Sequence, residues 1–180
     1  FVSRAFPAVA LKDLYKAMDL PAAQGKTDEL VGETVEYLGK TLQPDGLYAF
    51  WPGGRGYVHL TAYVVEFLVE AKKAGYAFDP KLLDRPLGAL KEALRSDYSR
   101  FLDGYAFSER ADALYSLSLA GQFDPAYGSE LAKKAKFSDL FGEARILQAY
   151  NAGQKGAGAQ IEDLRKDLWS GTLFKLRDGN

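Results

Sequence analysis

At 180 residues, 47% hydrophobic and 13% aromatic, the chain has apolar surface enough for one core and reads as a single domain or most of one, globular rather than disordered. Its 23 Lys and Arg are dispersed among 24 Asp and Glu, a net charge of −1 that leaves no basic stripe for nucleic acid. The absence of cysteine and the single histidine exclude thiol chemistry, a cysteine-rich zinc site and a His-based metal cluster within these residues, and no cofactor is expected.

In chain order the sequence reads as one helix after another. Phe6, Val9, Ala10, Leu14 and Ala17 recur near helical spacing and predict a first helix over Ser3 to Met18, with Pro7 in its first turns and Leu20-Pro21 closing it. A second runs from Thr27 and Leu30 to Leu42, with Asp28 and Glu29 suited to a helix start. Gly32 and Gly39 fall on one side of it, where close packing of another helix would explain them. The stretch Pro44 to Ala71, PDGLYAFWPGGRGYVHLTAYVVEFLVEA, is the one the rest can be arranged around. In its first half Pro44, Gly46, Pro52, Gly53, Gly54 and Gly56 punctuate a loop between the rings of Tyr48, Phe50 and Trp51. In its second half, Tyr57 to Ala71, apolar residues point in every direction around a helix, so this helix must be enclosed by others.

Asp79-Pro80 starts a fourth helix that runs to Arg95. Asp103-Gly104 turns the chain, Ser108-Glu109-Arg110 opens a fifth through Ala120 with Gly121 as its stop, and Asp124-Pro125 starts a sixth. Ser138 opens a seventh holding Leu140, Phe141, Ala144, Ile146, Leu147 and Tyr150; a small-residue linker, Gly153 to Gly158, precedes an eighth over Ala159 to Leu168. The final TLFKLRDGN fits a strand or a loop. No other strand pattern competes, so the fold class is all-α. Helices near 57–71, 111–120 and 140–150 are apolar on most sides, whereas those near 27–42, 80–95, 126–136 and 159–168 are amphipathic. That alternation predicts an α/α toroid of inner and outer helices, with an irregular helical bundle as the alternative.

No apolar run reaches the roughly 18 residues of a membrane span, and no direct membrane contact is expected. No basic, apolar, small-residue leader is seen, and the chain starts at Phe1 without a methionine, which suggests a fragment of something longer. Among candidate chemical groups, His59 lies one turn inside the buried helix at i+4 spacing from Tyr63, as a pocket residue or a base. Asp103, Glu109 and Asp112 could supply a general acid and base of the glycosidase kind, although Asp103 also suits a turn and Glu109 a first helical turn. Gly53-Gly54-Arg55-Gly56 could cradle a phosphate but lacks the Lys-Ser/Thr of a P-loop. Ser108 and Ser116 have no histidine in sequence company to mark a triad.

Read together, Asp45-Gly46-x-Tyr48-x-Phe50, the glycine-rich loop and Leu60-Thr61-Ala62-Tyr63-Val64-Val65 resemble the thioester-containing domain of the alpha-2-macroglobulin and complement superfamily. The spelling Tyr48-Ala49-Phe50-Trp51-Pro52-Gly53-Gly54 is similar to its bacterial branch. Ser3-Arg4-Ala5-Phe6-Pro7 resembles the helix that follows that family's Cys-x-Glu-Gln motif, which would end just before Phe1. The likeness is specific from Pro44 to Glu70 and fades after Gly121.

The resemblance implies a broad-spectrum endopeptidase inhibitor of bacterial defence rather than an enzyme. In this family a cysteine thiol and a glutamine carbonyl form an internal thioester, and cleavage of a bait segment exposes the acyl group to a nucleophile on the attacking protease, which is trapped. This is single-use acyl transfer. The partners implied are target proteases and other macroglobulin domains of the same chain, in a periplasmic protein anchored to the inner membrane by lipid. The reactive Cys and Gln would precede Phe1, and the C-terminal helices of the toroid would follow the fragment. Tyr48, Phe50, Trp51 and His59 are the candidates for a dry pocket around the thioester. His59 stands where family members often have Trp. No histidine occurs around Tyr105 to Asp112, where some complement members use one to steer toward hydroxyls, so transfer to amines or hydrolysis is expected. The competing reading is an α/α-toroid enzyme acting on a carbohydrate or isoprenoid through Asp103, Glu109 or Asp112.

Overall fold

Helical spacing of apolar residues governs the chain: the described residues, 1–135, 139–153 and 158–171 of a computed structural model, hold nine helices and one two-stranded ribbon. The all-α expectation holds. The chain divides into two compact units, Phe1–Asp103 and Gly104–Asn180.

In the first unit, the helix expected over Ser3 to Met18 is interrupted at Leu11 into α1 (Val2–Ala10) and α2 (Lys12–Ala17). Next comes α3 (Pro21–Thr41), which starts earlier than its sequence suggests. Pro21 sits in its first turn, where a missing N–H costs nothing, and Asp19 makes the preceding turn at φ 51°. Thr27 is no cap. Its hydroxyl donates back to the Ala23 carbonyl at 2.9 Å within the helix.

After α3, strands β1 (Tyr48–Ala49) and β2 (Gly56–Tyr57) pair antiparallel, Tyr48 with Tyr57 and Ala49 with Gly56. Gly56 is required here, since a Cβ would collide with that of Leu47. The ribbon leads straight into α4 (Val58–Lys73), enclosed as expected: Val58, Ala62, Val65, Phe67 and Leu68 are fully buried. Around α4 pack α1, the ribbon and α5 (Lys81–Ala93), whose start is prepared by Asp79 accepting the Lys81 N–H at 2.9 Å.

The second unit contains α6 (Ala106–Leu119), α7 (Pro125–Ala135), α8 (Leu140–Gly153) and α9 (Ala159–Ser170). Asp124 caps α7 by accepting the Ala126 N–H at 2.9 Å, with Pro125 as its first residue. The main pairing is α6 against α8, and α9 lies on α7 and α8 with its Ile161 and Leu164 buried. Helix α8 departs from its reading as apolar on most sides. It buries one stripe, Gly142, Glu143, Ile146, Ala149 and Tyr150, at helical spacing, while Leu140 and Phe141 are exposed. The Ser138 start, most of the linker before Gly158 and the final TLFKLRDGN lie outside the described residues.

Candidate functional site

The first turn of α1, the end of α3, β1 and the first turns of α4 surround a recess of about 350 Å³. Aliphatic Val2, Leu38, Leu60 and Val64 share its wall with the rings of Phe1, Tyr37, Tyr48, Phe50 and Tyr63. Polar side chains enter only as Ser3, Thr41 and His59, besides the tyrosine hydroxyls. Such a wall disfavours water and any unpaired charge.

Local chemistry fixes this wall. The turn Pro44-Asp45-Gly46 lies on α5, where Arg85 donates to the carbonyls of Gln43 at 3.0 Å and Pro44 at 2.7 Å. Gly46 takes φ 83°, and a Cβ there would come 2.8 Å from the Arg85 carbonyl oxygen, so both conformation and space call for glycine. Asp45 accepts the Leu47 N–H at 3.0 Å and pairs with Arg100 at 2.7 Å. The chain then enters β1 with Tyr48 wholly buried. Its N–H donates to Thr61 Oγ1 at 2.8 Å and its hydroxyl donates to the Leu82 carbonyl at 2.7 Å. Burial pushes the Tyr48 phenol pKa up, partly opposed by the positive charge of Arg85. Thr61 Oγ1 also donates to the Tyr57 carbonyl at 2.6 Å, so one hydroxyl ties both strands to α4.

Phe50 is exposed, with its ring 5.4 Å from that of Tyr57 and its carbonyl accepting the Tyr37 hydroxyl at 2.9 Å. Phe1 stacks on Tyr37 with centroids 4.1 Å apart and planes 15° from parallel. His59, second residue of α4, is exposed and lines the recess, while Tyr63 and Phe67 meet Phe6 of α1 at 5.7 and 6.1 Å.

Of the residues singled out in the sequence, Tyr48, Phe50 and His59 are therefore brought to one recess, together with the start of α1. Trp51 is not on its wall. It is 62% exposed at the ribbon's tip, its indole nitrogen 2.9 Å from where a Cβ on Gly54 would stand. The Gly54 N–H is used in that turn, donating to the Trp51 carbonyl at 3.1 Å, and Arg55 lies toward the Tyr57 ring, which leaves the phosphate cradle without support. Tyr37, Tyr63, Phe1 and Thr61 were missed as site residues. Only Thr61 and Tyr63, inside the Leu60 to Val65 run, had a local signal.

The carboxylates of the competing reading do not line the recess. Asp103 is exposed, Glu109 is 2% exposed, and wholly buried Asp112 accepts from Arg145 Nε at 2.7 Å. Asp112 and Arg145 thus form an ion pair joining α6 to α8, with the guanidinium 4.8 Å from the Tyr115 ring centre. Among the described residues, no group of His, Cys, Asp and Glu could hold a metal ion, and no helix is long and apolar enough to cross a membrane.

A helical module with an apolar, aromatic recess at the start of its first helix is the class that fold and site define. The chain is a relative of the bacterial alpha-2-macroglobulins. It is 30% identical over 124 residues to an alpha-2-macroglobulin homolog of Yersinia pestis, a match that covers 67% of this chain and 6% of that protein. Trypsin-activated alpha-2-macroglobulin from Escherichia coli has a TM-score of 0.74 at 19% identity, over 94% of this chain and 12% of that one. Salmonella alpha-2-macroglobulin reacted with methylamine has a TM-score of 0.70 at 19% identity, over 80% of this chain and 10% of that one. These two solved structures establish a shared fold. No family model matches the chain.

Proposed function

We propose that this chain is the part of a thioester domain that follows the Cys-x-Glu-Gln motif, in a bacterial alpha-2-macroglobulin-like inhibitor that traps attacking proteases. The observation that carries the reading is the recess itself. Phe1, Val2 and Ser3 line it beside Tyr48, Phe50 and His59, so a segment joined to Phe1 would emerge at its edge. An acyl bond there would sit among rings and aliphatic side chains, where water is scarce. On exposure, an amine nitrogen of the protease adds to the acyl carbon and the carbon–sulfur bond breaks. The sulfur leaves as thiolate and takes up the proton that the amine gives up, producing an amide and a thiol.

The same reading keeps the expectation of one incomplete α/α-toroid domain; within Phe1–Asp103 enclosed α4 beside amphipathic α5 supports it, and within Gly104–Asn180 enclosed α6 beside amphipathic α7. It also puts the full-length protein in the periplasm on a lipid anchor, beside other macroglobulin domains; fractionation that finds it in the cytosol would contradict this part. The decisive experiment extends the chain upstream through its coding sequence. The extended protein is expected to take up labelled methylamine at the glutamine, about one per chain, and the present chain none. Equal uptake by both, or no Cys-x-Glu-Gln directly before Phe1, would overturn the proposal.

A further inference from the structure

We infer that Tyr37 is a positioning residue that clasps the β1–β2 ribbon over the recess and so limits how far water reaches the acyl bond; this rests on the function proposed above. Two parts of one side chain make the clasp. The Tyr37 ring stacks on Phe1 at the start of α1, at 4.1 Å, and its hydroxyl donates to the Phe50 carbonyl where the chain leaves β1, at 2.9 Å. Three segments that line the recess, α1, α3 and the ribbon, therefore meet at this residue.

The ribbon is held unequally. On the α4 and α5 side, Tyr48 makes two hydrogen bonds in a fully buried setting, to Thr61 and to the Leu82 carbonyl. On the α3 side, the bond from Tyr37 is solvent-accessible and Phe50 is 57% exposed. A hydrogen bond that water can replace opens at little cost, whereas the buried pair must leave polar groups unsatisfied. The Tyr37 edge is thus where the recess admits water.

Tyr37→Phe keeps the ring and its stacking and removes only the donor. In the chain as it stands, amide exchange over residues 48–57 is expected to quicken about two- to tenfold, the range set by one net hydrogen bond, with α4 and α5 unchanged. In the chain extended through the thioester motif, the lifetime of the thioester, read as release of free thiol in buffer, should shorten by a similar factor. Unchanged ribbon exchange overturns the inference, as does a rise shared by α4 and α5, which would make Tyr37 a general stability residue. Looser ribbon exchange with an unaltered thioester lifetime overturns the control of water. If the ribbon loosens but the unsubstituted extended chain forms no thioester, the clasp stands and the function proposed above falls.

Discussion

Thr61 accounts for the position of the ribbon with a single oxygen. Its hydroxyl is wholly buried, donates to the Tyr57 carbonyl at 2.6 Å and accepts the Tyr48 N–H at 2.8 Å. Thr61→Val keeps the shape and removes both bonds, leaving the Tyr48 N–H buried without an acceptor. A buried donor in that state costs about 1–3 kcal/mol. Thr61→Ser keeps the oxygen and loses one methyl, about 0.8 kcal/mol. The expected order in chemical denaturation is wild type, then Thr61→Ser, then Thr61→Val, with the larger step at valine. A valine variant as stable as the serine variant would mean that the methyl, and not the hydroxyl, holds the site.

Helix α3 illustrates how an element can be read correctly and explained wrongly. Gly32 and Gly39 lie inside it as expected, yet a Cβ on either meets nothing within 4 Å, so close helix packing is not why they are glycine. Both therefore weaken the helix without a compensating contact. Gly32→Ala and Gly39→Ala should each raise stability by roughly 0.5–1 kcal/mol, and two turns of separation should make the gains nearly additive. Denaturant midpoints check this, and a loss at either position would mean that something packs on that face. Other elements were legible because their signals are local: the all-round apolarity of α4, and the Asp-Pro starts at Asp79 and Asp124. The ribbon was not, since strands of two residues each carry no alternating pattern. The recess was half legible for the same reason. Tyr48, Phe50 and His59 sit just ahead of or within the first turn of a recognisable helix. Tyr37 sits on another helix, and its contacts with Phe50 and Phe1 arise only on folding.

Across the whole chain, a nearly balanced charge of −1 conceals groups with opposite responses to pH. In Gly104–Asn180, the Arg110 guanidinium bonded to Glu130, with Lys134 beside it, lowers that carboxyl from 4.5 to about 2. A lowered folded value means that its stabilisation is present above pH 4.5 and is lost as pH falls toward 2. Glu143 has the opposite sign. Burial first, then the negative charges of Asp167 and Asp139, push its carboxyl above 4.5, and its Oε2 has no hydrogen-bond partner. Its contribution is present below pH 4.5 and is lost as pH rises through the folded value. The sum of the two is greatest near pH 4.5, so this unit should be more stable there than at pH 7 or pH 2.5. In Phe1–Asp103, burial raises the phenols of Tyr48 and Tyr76, and the Asp28 carboxylate that accepts the Tyr76 hydroxyl at 2.6 Å adds to the second. Their contribution is full below pH 10 and is lost above it; burial raises the Tyr150 phenol of Gly104–Asn180 in the same direction, so alkali costs both units stability. Backbone amide spectra, which report each unit by its own residues, should therefore show the Gly104–Asn180 signals weakening as pH falls below 4.5 and the signals of both units weakening above pH 10. Glu143→Gln should raise stability at pH 7 and remove the decline above pH 4.5, while Glu130→Gln should flatten the decline below it. A Glu143→Gln protein no more stable than wild type at pH 7 would mean that the orphan carboxyl is not the group that opposes folding there.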